Sequence, residues 1–242
     1  MILWFKPIVF CCVAVLIGAG CAPQYANPSF PIEPDEAKSR LDDLKSSKKR
    51  LDRPLILLGG FLDPGIGPAT YRKVLGKFLE GEMIAISFAD RSSFESCRER
   101  VIARVDENFP TDDPDRTIEV DVIGESMGGL VAMFCALDDP QLGRTLRIRN
   151  LYTIASPLRG ARLAERAPFL LNSMQRDMKP GSALYQRIEN SPIDYQIYSY
   201  TRLDDDIVGE MYTSAPNRGV WWVENLPGQP AHFGALFSVA RE

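Results

Sequence analysis

Histidine is almost missing: His232 is the only one in 242 residues. Metal centres built on clustered histidines, the HExxH kind included, are thereby excluded. Any imidazole acid–base chemistry has a single residue to use. A basic excess is missing too. Lys and Arg total 28 against 32 Asp and Glu, a net charge of −4, which lacks the electrostatic footprint of a nucleic-acid binder. The longest apolar run, Ile8 to Gly20, is shorter than the roughly 20 residues that span a bilayer. Beyond residue 21 only Cys97 and Cys135 remain. Both fall in predicted helices and suit either one disulfide or two buried thiols. Hydrophobic residues make up 45% and charged residues 25%, a globular balance. A chain of this length buries enough surface to fold without staples.

The first 20 residues read as an address. One charge, Lys6, precedes the run from Ile8, which fits the h-region of a signal peptide. The run ends in Ile17-Gly-Ala-Gly-Cys21. Small residues before a cysteine resemble the lipobox of bacterial lipoproteins. That resemblance implies cleavage before Cys21, acylation of its thiol and a stable hold on a membrane. Ala22 in place of Asp favours the outer membrane. An ordinary secretory signal is the alternative. From Ala22 to Arg53 the composition shifts. Pro23, Pro28, Pro31 and Pro34 break regular structure, and Lys45 to Arg53 is polar and basic. This reads as a tether, with a possible short helix over residues 35–45. The expected division is 1–20 signal peptide, 21–53 lipidated cysteine and tether, 54–242 folded domain.

Within residues 54–242 strand and helix patterns alternate. Leu55–Leu58, Met83–Phe88, Ile118–Ile123, Ile148–Ile154, Tyr195–Tyr200 and Val220–Val223 read as strands. Pro68–Leu79 (with Pro68 as helix starter), Ser93–Phe109, Ser126–Leu137, Ala161–Met174, Ser182–Asn190 and Gly234–Ala240 read as helices. Such alternation predicts an α/β fold, a mostly parallel sheet with helices on both faces.

The chemistry starts at Gly124-Glu-Ser-Met-Gly-Gly129, between a predicted strand and a predicted helix. A sharp turn at the serine needs neighbours without side chains at −2 and +2. It also sets Ser126 at a helix start, where free N–H groups favour negative charge. Ile123 to Leu130 resembles the nucleophile elbow of the α/β-hydrolase superfamily. Thr153-Ile-Ala-Ser-Pro-Leu-Arg-Gly-Ala161 and Asp177-Met-Lys-Pro-Gly-Ser-Ala-Leu184 are similar to segments of its lipase and esterase branch. Leu158 and Gly59 stand where that branch often has histidine.

The resemblance implies an order of Ser, then acid, then His. His232, in Pro230-Ala-His-Phe-Gly234, takes the place of the base. Asp205, in Asp204-Asp-Asp-Ile-Val208, aligns as the acid, with Asp204 and Asp206 as competitors one residue away. The oxyanion donors implied are the N–H groups of Met127 and of Phe61, in Gly59-Gly-Phe61. The activity implied is carboxylic ester hydrolysis through an acyl-enzyme, on a small-molecule or lipid ester, with no cofactor, no metal and no nucleic-acid partner. Thioester or amide hydrolysis is an alternative, as is a tethered binding module that keeps the fold without turnover. The 36 residues from Pro157 to Pro192 leave room for a small cap at most. Gly65–Gly67 and Phe169–Leu171 are candidates to line the cleft, and Glu125 is assigned no role.

Overall fold

Short aliphatic runs become the strands of one parallel sheet. The computed structural model describes residues 34–166, 172–201, 204–215, 220–222 and 232. Helix α1 spans Pro34–Ser46, and β1 (Lys49–Arg50) follows it. Then come β2 (Leu55–Leu58), α2 (Ile66–Leu75), β3 (Leu79–Glu80), β4 (Met83–Ile86) and α3 (Phe94–Asn108). The second half holds β5 (Val120–Glu125), α4 (Met127–Cys135), β6 (Ile148–Ile154), α5 (Arg162–Arg166), α6 (Ser173–Asp177), α7 (Ala183–Glu189), β7 (Gln196–Thr201) and β8 (Val220–Trp222). The sheet runs β4-β2-β5-β6-β7-β8, and every pairing is parallel.

Strand β2 shows why helices cover both faces. All four of its residues are buried, so neither face meets water. Ile56 and Leu58 join the larger core with α3 and α4, while Leu55 and Leu57 join a smaller one with Tyr71 of α2. Right-handed crossovers account for the split. The chain steps from β2 outward to β4, then back past β2 to β5, so α2 lies opposite α3 and α4. The loops leaving β2 and β5 therefore diverge, and such a reversal opens a crevice at the carboxyl ends of the strands.

Helix α4 runs through the core with all nine residues buried. Its carbonyl end is tied down by Arg98 of α3, which donates to Cys135 O at 2.6 Å and Arg144 O at 2.6 Å. Phe94 and Phe134 meet edge to face across the same helix pair, with centroids 6.2 Å apart. Cys97 and Cys135 are both buried free thiols. Burial pushes each up to about 12.

Several boundaries move relative to the sequence pattern. The helix expected over Pro68–Leu79 begins at Ile66 and stops at Leu75. Its start is fixed by Asp63, which accepts N–H bonds from Gly65 and Ile66 at 2.8 Å each and from Gly67 at 3.1 Å. Leu79–Glu80 instead pairs with Lys49–Arg50. That pairing ties residues 49–53 to the domain, together with the ion pair of Arg53 with Glu119 at 3.2 Å. The single helix expected over Ala161–Met174 is replaced by α5 and α6. Asn172 caps α6 by a reciprocal pair of bonds with Gln175, so a new helix starts where the old one was expected to continue. The signal segment, Cys21, Phe169–Leu171 and Gly234–Ala240 lie outside the described residues. Among the described residues no helix is long and apolar enough to cross a membrane.

Candidate active site

The site is built on the turn between β5 and α4. Ser126 adopts φ 48° and ψ −124°, a strained conformation that L-residues rarely take. Two glycines make the turn possible. A Cβ at Gly124 would sit 2.4 Å from Gly129 N, and one at Gly128 would sit 2.6 Å from Leu58 O. Both obstacles are backbone. The turn is braced by Ser126 N–H donating to Ile154 O at 2.8 Å and by Ser156 Oγ donating to Gly124 O at 3.1 Å.

His232 reaches this turn across 106 residues of sequence, its Nε2 2.9 Å from Ser126 Oγ. Its Nδ1 lies 2.8 Å from Asp205 Oδ2. A carboxylate only accepts, so Nδ1 carries the proton and Nε2 is left to accept from the serine hydroxyl. Asp205 is fully buried, whereas Asp204 and Asp206 are exposed. Its other oxygen accepts from the N–H groups of Ile207 at 2.9 Å and Val208 at 2.8 Å. Burial works to raise this carboxyl. The His232 ring and the two backbone donors outweigh it and hold Asp205 below its ordinary value.

Phe61 and Met127 flank Ser126, one on the loop after β2 and one at the first position of α4. The Ser126 side chain closes on that loop, since a Cβ at Gly60 would lie 3.2 Å from Ser126 Cβ. Beside the hydroxyl opens a mainly apolar cleft of about 450 Å³, its mouth included, walled by Phe61, Pro157, Ala161, Leu163, Met178 and Val208. Gly65, Ile66 and Gly67 are not part of that wall. The Thr153–Ala161 and Asp177–Leu184 segments meet each other: a Cβ on Gly160 would lie 2.5 Å from Pro180.

Comparisons with known proteins bear on the fold. A lipase from Bacillus licheniformis superposes with a TM-score of 0.53 at 12% identity, over 76% of this chain and 86% of that one. The chain has the α/β-hydrolase fold. Within that fold, an α/β-hydrolase domain-containing protein from mouse gives a TM-score of 0.45 at 14% identity, covering 80% and 88% of the two chains. A thioesterase of prodiginine biosynthesis from Streptomyces coelicolor gives 0.44 at 18%, covering 81% and 91%. A family model described as "Putative esterase" matches residues 90–143, which include the Ser126 turn but neither Asp205 nor His232. No curated protein sequence matches.

Two residues near the Ser126 turn carry no role in the reading of the sequence. Asp63 gathers three N–H donors at the start of α2. The signal was there in Asp63-Pro64-Gly65, a turn-forming sequence in which an Asp side chain bonds backbone just ahead of it. Glu125, next to the serine, turns inward, and its Oε2 is buried with no hydrogen-bond partner among the described residues.

Proposed function

We propose that this protein is a serine hydrolase that cleaves carboxylic esters through an acyl-enzyme. One observation carries the reading: a continuous hydrogen-bonded line from buried Asp205 through His232 to Ser126, ending beside an apolar cleft. The fold and the esterase family match support hydrolysis in general. Ser126 Oγ attacks the ester carbonyl as His232 Nε2 takes its proton, and the forming imidazolium is stabilised by Asp205. The N–H groups of Phe61 and Met127 receive the oxyanion. A pre-aimed donor of this kind is typically worth about 2.7–4 kcal/mol in the transition state. His232 then returns the proton to the departing alcohol. Water repeats the sequence to free the acid and restore the serine. The apolar walls of the cleft suit the acyl chain of a small-molecule or lipid ester.

We also infer that residues 1–20 export the chain, that Cys21 is acylated, and that the segment to residue 53 tethers the domain to a membrane, the outer membrane by preference. The Ile17–Cys21 sequence supports this part of the reading. Replacing Cys21 with Ser should release the protein from membrane fractions.

The test of the chemistry is a fluorophosphonate label, read by peptide mass mapping, alongside hydrolysis of a chromogenic short-chain ester. Capture at Ser126, with both signals lost in a folded Ser126→Ala variant, is the expected outcome. Ester turnover that survives in Ser126→Ala refutes the mechanism. Failure of the label on intact protein favours a binding module on the same fold.

A further inference from the structure

Behind Ser126 lies a second polar cluster that the proton path above does not use. It joins the two segments that carry the oxyanion donors. Asp63 stands two residues after Phe61, and Glu125 stands two before Met127. Their carboxylates crowd one spot. A Cβ built on Gly67 would lie 2.3 Å from Glu125 Oε2 and 2.6 Å from Asp63 Oδ2, and one on Gly59 would lie 2.9 Å from Asp63 Oδ2. The missing side chains at these glycines are what make room for both acids.

The two acids are not equivalent. Asp63 accepts three backbone N–H bonds at the start of α2, which suits the ionised form. Among the described residues Glu125 Oε2 has no donor, and a buried carboxylate without one favours its proton. The third member is Tyr71 of α2. It is 3% exposed, and its hydroxyl has no hydrogen-bond partner among the described residues. Among the described residues these three groups, with His232 beyond Glu125, are the titratable side chains that face one another here.

We propose that Glu125 and Asp63 hold a proton between them, and that this acid–carboxylate pair clamps the loop of Phe61 to the turn of Met127, which makes Glu125 a positioning residue for the oxyanion site. The inference rests on the hydrolase reading above. Burial first, and the Asp63 charge second, raise Glu125 to about 7, against a smaller lowering by His232. Loss of that proton sets two like charges against each other across the two segments. It also places a negative charge on the residue next to the attacking serine. Both effects oppose the transition state, so activity falls as pH rises through this ionisation.

The experiment compares the full chain with Glu125→Gln and Glu125→Ala, measuring kcat and kcat/KM on a chromogenic short-chain ester and the rate of fluorophosphonate capture from pH 6 to 10. Gln keeps a donor toward Asp63 and cannot ionise. The unmodified protein is expected to lose kcat in a one-proton step near neutral pH. Glu125→Gln lacks that step and exceeds the unmodified protein at pH 9 on the order of tenfold. Glu125→Ala is low in kcat at every pH, and Gln restores it. An identical alkaline limb in Glu125→Gln and the unmodified protein overturns the clamp. Absence of capture on the unmodified protein at any pH overturns the hydrolase reading instead, and the clamp with it. Should Glu125→Ala fail to fold, the Gln profile alone decides.

Discussion

A single methyl group tests whether the turn at Ser126 is as crowded as its backbone indicates. Gly128→Ala would place a Cβ 2.6 Å from Leu58 O, 2.7 Å from Gly59 O and 2.9 Å from Leu58 C. All three are main-chain atoms at the end of β2, so no flexible side chain can move aside. Overpacking of this kind typically costs 1–3 kcal/mol, and rigid neighbours argue for about 3. In a domain of this size each kcal/mol shifts Tm by about 2–4 °C, giving a fall of about 6–12 °C. The strain has a direction: α4 must retreat from β2, or Leu58–Gly59 must move and carry Phe61 with them. Capture of fluorophosphonate should then slow by about 100-fold, the penalty for misplacing donors by about 1 Å. Gly143→Ala is the control. Gly143 has φ +69° and ψ −141° with nothing within 4 Å of its would-be Cβ, so the change costs about 1–3 kcal/mol of backbone strain alone and leaves capture unchanged. If Gly128→Ala labels at the normal rate, as Gly143→Ala should, the crowding argument is wrong.

Asp205→Asn keeps an acceptor for Ile207 and Val208 but turns an amide NH₂ toward His232. The ring then adopts the tautomer that cannot accept from Ser126, and ester turnover should fall on the order of 10⁴-fold with little change in Tm. Glu125→Gln should raise stability above neutral pH. A carboxyl whose folded value is raised to about 7 contributes fully below the unfolded value near 4.5 and loses that contribution as pH rises to 7. The variant should therefore gain about 2–3 kcal/mol at pH 8 and nothing at pH 4, read by denaturant titration at both. Arg98→Met keeps the stem but strands the carbonyls of Cys135 and Arg144 without their donor. Calorimetry should record a loss of about 3 kcal/mol, and a neutral result would mean that water replaces the guanidinium.

Long elements with clear periods were legible in the sequence because burial and period coincide. Ile148–Ile154 has the same limits in the pattern and in the structure. Helix α3 starts one residue after its Ser93 cap, as a Ser-x-x-Ser pair bonding both ways requires. Elements set by local polar bonds were harder to read. Asn172 and Gln175 form a capping box inside a stretch whose apolar spacing suggests one helix, and Pro168 stands in the same stretch. The pairing of β1 with β3 has two residues a side, too few to leave a period. Ser126, Asp205 and His232 stood out because each sits in a short motif, and the structure places their side chains in line. The Asp63–Glu125 pair had no such motif. Its members become neighbours only when β2 and β5 lie side by side, a contact that neither local sequence announces.

The 106-residue span between Ser126 and His232 also sets an order of events during synthesis. Loop closure over such a distance is entropically costly and contributes to slow folding. The ribosome releases the chain from its N-terminus, so the elbow, α4 and most of the core exist before the imidazole does. A nascent or truncated chain that stops short of residue 232 holds Ser126 without the imidazole that faces it. On the proposed mechanism, hydrolytic competence thus arrives late. On the proposed export, that delay keeps the serine idle while the polypeptide is still in transit.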